Sequence, residues 1–134
     1  MTTRISIPFK LASLYQGLAE AHGRAHVDEH GLRIEYRIED AVFGFVKTRV
    51  RELHIPFEEI DDVEFRDHWW GRRLIFHLHS LHSVADFPDS KEGRIVLKIK
   101  RDLRQRAREF HSFLSLQVSE EKLRRLTASD DWED

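Results

Sequence analysis

The sequence contains no cysteine. Disulfides, a thiolate zinc site and a cysteine nucleophile are therefore excluded. No apolar run reaches transmembrane length, and residues 1–8 lack the hydrophobic stretch of a signal peptide. An excess of one charge sign is also missing. The formal net charge of -2, with His neutral, gives no overall attraction to nucleic acid or to an anionic membrane. Internal repeats, low-complexity segments, a phosphate loop, a dinucleotide glycine pattern and a serine elbow are all absent. Asp, His and Ser are plentiful but lack any diagnostic spacing. The expectation is one cytoplasmic, non-enzymatic domain of 134 residues without a cofactor. A chain of this length can bury a real core without staples.

What is present is organised around residues 93–116. Ile95, Leu97 and Ile99 alternate with Arg94, Lys98 and Lys100, the period of a strand. At Arg101 the period changes. Leu103, Ala107, Phe110 and Leu114 recur at spacings of three and four, which is one helical face. Asp102 sits where a carboxylate favours a helix start. A single amphipathic helix after many strands must lay its apolar stripe on the sheet.

Upstream, Ala19, Ala21, Gly23, Ala25 and Val27 alternate with polar residues, and so do Leu32, Ile34, Tyr36 and Ile38. With Glu29-His30-Gly31 between them, these runs predict a hairpin. The small inward set of the first run suits close approach by another element, with the terminal helix the natural candidate. Leu53, Ile55 and Phe57 form a further inward row, then Ile60, Val63 and Phe65, then Leu74, Phe76 and Leu78 with Ile75 on the opposite face. Val84 to Phe87 suits another short strand. Residues 1–18 read as an N-terminal segment packing on the domain. Ile5, Ile7 and Phe9 alternate as an edge strand would, and Pro8 favours an edge over a central position. Residues 117–134 are polar and acidic and are expected to fray, apart from a short helix carrying Leu123 and Leu126 behind Ser119.

About seven antiparallel strands followed by one helix is the order of the pleckstrin-homology-like barrel. The residues that carry the resemblance run from Gly31-Leu32-Arg33-Ile34-Glu35-Tyr36, through Ile55-Pro56-Phe57-Glu58-Glu59-Ile60-Asp61-Asp62-Val63, to Arg94–Ile99 with Arg101-Asp102-Leu103 and Ala107. The chain resembles small bacterial pleckstrin-homology-like or GRAM-like domains over 31–116. The resemblance implies a mainly β domain over 19–116: two roughly orthogonal sheets forming a barrel, capped by the terminal helix. It also implies a binding or scaffolding module. In lipid-binding members basic residues on the first hairpin grip phosphates, whereas the matching turn here, Asp28-Glu29-His30-Gly31, is acidic and repels them.

Several constellations invite function. His77 and His79 share a strand face, and His82 could close a metal site after a turn; the bland alternative is an exposed face that happens to carry histidines. Trp69 keeps phase with Val63 and Phe65 and is expected to cover the end of the core. Trp70 then points outward beside Arg72 and Arg73, the composition of an interface anchor or of cation–π packing within one hairpin. Val42-Phe43-Gly44-Phe45-Val46 is either a buried extra strand or an exposed patch that seals a homo-oligomer through Phe43 and Phe45. Lys47, Arg49 and Arg51 behind it would suit an anionic lipid surface. The helix arginines Arg101, Arg104, Arg106 and Arg108 read as a solvated face, since no nucleic-acid motif accompanies them. The favoured function is protein–protein interaction with self-association.

Overall fold

The computed structural model describes residues 5–14, 19–40, 50–79 and 93–131. Seven strands and one long helix make up the described chain: β1 (Ile5–Leu14), β2 (Ala19–Asp28), β3 (Gly31–Asp40), β4 (Arg51–Ile55), β5 (Ile60–His68), β6 (Gly71–Leu78), β7 (Arg94–Ile99) and α1 (Arg104–Asp131). A 3-10 turn over Arg101–Leu103 leads into α1 and holds Asp102. All strand pairs are antiparallel and belong to one sheet, in the order β4-β3-β2-β1-β7-β6-β5. The sheet does not close, because β4 and β5 are its two edges.

The alternation read from the sequence becomes the two faces of this sheet. Ala21, Ala25 and Val27 on β2 are buried, as are Leu32, Ile34, Tyr36 and Ile38 on β3. The β2–β3 hairpin stays in register from Ala19↔Asp40 to Asp28↔Gly31. Its turn is fixed locally: the His30 backbone N–H donates to Asp28 Oδ1 at 2.8 Å, and Gly31 adopts a φ of 143°, a left-handed value that favours glycine.

α1 covers the core side of the sheet. Ala107, Phe110 and Leu114 have no solvent exposure, Val118 is buried, and Leu103 packs partly buried against them. Phe110 meets Phe76 of β6 with ring centroids 6.4 Å apart. Each large apolar side chain so buried contributes roughly 1.5–3 kcal/mol. The helix is also pinned by its far half, where Lys122 Nζ donates to the Asp61 carbonyl at 2.6 Å.

Four expectations are corrected. β1 is an interior strand between β2 and β7, not an edge. Pro8 is tolerated because the registered contact of β1 with β7 is confined to Lys10↔Lys98, while Pro8 itself lies opposite Arg24 of β2. The helix does not stop near Leu116 but continues to Asp131, because Val118 extends its buried face by another turn. Ile75 keeps the expected face, opposite Leu74 and Phe76, but is buried there and not solvated. Finally, Gly23 makes way for the neighbouring strands and not for the helix. A Cβ on Gly23 would meet the Glu35 backbone and the Phe9 ring.

Val42 to Val46 with Phe43 and Phe45, as well as Lys47, Arg49, His82 and Val84 to Phe87, lie outside the described residues. Among the described residues no helix is long and apolar enough to cross a membrane.

Candidate binding surface at the β5–β6 turn

β5 and β6 pair from Ile60↔Leu78 to His68↔Gly71, and Trp69-Trp70 forms the two-residue turn between them. On the core side the rows run Val63, Phe65, Asp67 on β5 and Phe76, Leu74, Arg72 on β6. Each apolar row therefore ends in a charged residue at the rim, and register sets Asp67 opposite Arg72. Arg72 Nη1 lies 3.8 Å from Asp67 Oδ1, with the Arg72 side chain only 10% exposed. Its Nε is buried and has no hydrogen-bond partner among the described residues.

The start of α1 comes over the same rim. Arg104 and Arg108 are four residues apart and so share a helix side. Arg108 Nη2 donates to Asp67 Oδ2 at 3.2 Å, and Arg104 Nε lies 3.8 Å from the same oxygen. Three guanidinium groups thus share one carboxylate. Arg101 adds a fourth, with no carboxylate in salt-bridge distance among the described residues. Asp67, His68, Trp69, Arg72, Arg101 and Arg104 line an open hollow of about 420 Å³. Positive charge exceeds negative there, although the whole chain is slightly acidic.

The aromatic tip stands beside this corner. Trp69 is 88% exposed and Trp70 66% exposed. Trp69 does not cover the core, because strand pairing ends at His68↔Gly71 and the alternation no longer governs it. Trp70 stacks on His68 with centroids 4.6 Å apart and planes within 2°, and Trp69 meets Trp70 edge-on at 5.6 Å. The two indoles are therefore held in place while exposed, which lowers the entropy cost of using them as anchors.

Of the residues singled out in the sequence, Trp70 and Arg72 come together at this corner. Arg73 lies on the opposite face of the hairpin, exposed, with Arg66 and Lys98 as its cross-strand neighbours. That face carries a row the sequence did not reveal. Arg66, Arg73, Lys98, Lys10, His22 and Arg37 are successive register partners from β5 to β3. Like charges in opposed positions repel, and acids relieve part of this: Glu64 pairs with Arg66, and Glu20 with Lys10 and His22. Arg51, at the start of β4, is exposed and far along the sheet order from the corner.

His77 and His79 do project from one strand end, but each meets a carboxylate. His77 Nε2 lies 2.6 Å from Glu64 Oε1, and His79 Nε2 lies 3.7 Å from Asp61 Oδ1. Among the described residues no group of three or more His, Asp or Glu side chains is placed to hold a metal ion. The hydrogen bond from His77, assisted by the Arg66 guanidinium, holds the Glu64 carboxyl below its ordinary value of 4.5. A depressed carboxyl stabilises the fold above its unfolded pKa and loses that contribution as pH falls through the folded one. Acid titration of unfolding should therefore show Glu64→Gln losing less stability than the parent chain below about pH 4.5. Identical acid slopes for the two would contradict this assignment.

The chain matches no family model, no curated protein and no solved structure.

Proposed function

We propose that this protein is a non-enzymatic binding module that takes an acidic segment of a protein partner on the β5–β6 corner. The observation that carries the reading is the single carboxylate of Asp67 shared among Arg72, Arg104 and Arg108, beside two exposed, mutually packed tryptophans. Arginine and tryptophan are the residues that most often dominate interface energetics. A guanidinium that already shares its carboxylate gains more from an incoming one than a fully paired group would. The basic row from Arg66 to Arg37 supports the same sign of partner on the adjoining face.

The same reading includes the pleckstrin-homology-like arrangement, with the strands in two crossed layers capped by α1. Its support is the succession of seven antiparallel strands and one helix, and the single registered pair that joins β1 to β7. So narrow a junction leaves the β4-β3-β2-β1 half free to turn against the β7-β6-β5 half.

A photo-crosslinking residue placed at position 70 in intact cells tests the reading. The expected result is a discrete adduct that disappears when Arg72→Glu and Arg104→Glu are added. A crosslinker at Arg24, exposed on the outer face of β2, serves as control. Equal labelling from both positions, or none from position 70, would remove the corner as a recognition surface.

A further inference from the structure

α1 carries a second exposed feature besides the corner. Leu116, Leu123 and Leu126 are exposed at 54%, 63% and 63% on the side of the helix turned away from the core. Leu126 follows Arg108 by eighteen residues, which is five full helical turns, so it lies along the same side as the corner's arginines. Just beyond comes the most acidic run of the sequence: Asp130, Asp131, Glu133 and Asp134 around Trp132. In sequence order α1 thus begins with basic residues, carries exposed leucines further along and runs into acids.

That order complements itself when reversed. α1 spans Arg104–Asp131, 28 residues, and at about 1.5 Å per residue is roughly 40 Å long. Residues 132–134 reach at most about 10 Å past the helix end. The acidic run therefore cannot fold back onto the corner of its own chain. A second copy with its helix antiparallel meets the condition at both ends at once.

Resting on the reading of the corner as an acid-binding surface, we propose that its partner is a second copy of this chain. In this two-fold dimer the α1 helices lie side by side and antiparallel. The 130–134 segment of each copy seats on Arg72, Arg101, Arg104 and Arg108 of the other. Leu116, Leu123 and Leu126 face the partner helix between those two contacts. The net positive corner and the four acids complement each other in sign. The leucines, which are exposed in a single chain, lose that exposure. Such an interface is isologous and closes on itself, so assembly stops at two.

Sedimentation velocity on the full chain across concentration and salt tests this. The parent chain should form dimers that weaken as ionic strength rises. The pair Arg101→Glu with Arg108→Glu should weaken dimerisation by about tenfold or more. So should Asp130→Lys with Asp131→Lys. Circular dichroism confirms that each variant is folded, and Arg101→Glu alone disturbs no ion pair among the described residues. Mixing the two double variants should restore a one-to-one dimer, because the swapped charges again complement each other. Dimers that persist unchanged in both variants, or no restoration on mixing, would overturn the proposal. Tryptophan fluorescence with a synthetic Glu-rich peptide separates this failure from failure of the functional reading. A chain that stays monomeric but responds to the peptide refutes the second copy as occupant and leaves the corner as an acid-binding surface. A chain that does neither refutes both.

Discussion

Phe110→Ala should cost about 3–5 kcal/mol, the range for emptying a buried aromatic site. Phe110 has no exposure, lies between the fully buried Ala107 and Leu114 on one helix face, and reaches Phe76 of β6. The sheet beneath it is held by hydrogen-bonded ladders and cannot move in to fill the space. α1 would lose its largest contact, and the remaining Leu114 and Val118 would hold it on a weaker footing. Domains of this kind are stable by only about 5–15 kcal/mol, so the loss is a large fraction of the total. Urea titration should show the midpoint falling by roughly 2 M with little change in slope. Glu120→Ala, at an exposed helix position, should stay within about 0.5 kcal/mol. A Phe110→Ala midpoint within that same margin would mean that the helix does not depend on this face.

Gly23→Ala should be comparably damaging for a different reason. A Cβ there would stand 1.9 Å from the Glu35 carbonyl oxygen and 2.9 Å from Phe9 Cζ. The first of these atoms is backbone of the adjacent strand, in the middle of a hairpin registered from end to end. It can yield only by parting β2 from β3. Steric insertion of this kind belongs to the costliest mechanisms of substitution, about 3 kcal/mol or more. Adding Phe9→Leu should not rescue the variant, because it relieves the ring and leaves the carbonyl. Gly71→Ala is the matched control, since a Cβ there meets nothing within 4 Å. Thermal melts placing Gly23→Ala level with Gly71→Ala would contradict the packing described.

The strand rows and the helix face were legible because a half-buried element leaves a period of two or 3.6 in its residues. Leu103, Ala107, Phe110 and Leu114 needed nothing more than their spacing. β1 was harder to place, since Pro8 interrupts it and one short alternating run cannot tell an interior strand from an edge. Register leaves no mark in alternation. The row from Arg66 to Arg37 exists only because six strands bring one residue each to the same height. The corner was half visible: Trp70 and Arg72 are neighbours in the sequence, and their exposure or rim position follows from a hairpin tip. Asp67 was not visible as the shared acceptor. Its role depends on how the helix, 37 residues later in chain order at Arg104, crosses the end of β5. Trp69 misled because its phase continues a strand that has already ended.

The central proposal is that this corner, and not the strand end carrying His77 and His79, receives an acidic protein segment. Amide chemical-shift mapping during titration with a Glu-rich peptide tests it directly. Shifts confined to residues 67–72 and 101–108, fading as salt is raised, are the expected result. Shifts centred on His77 and His79, or none at low salt even in the Asp130→Lys, Asp131→Lys chain whose own acidic run no longer competes, would contradict it.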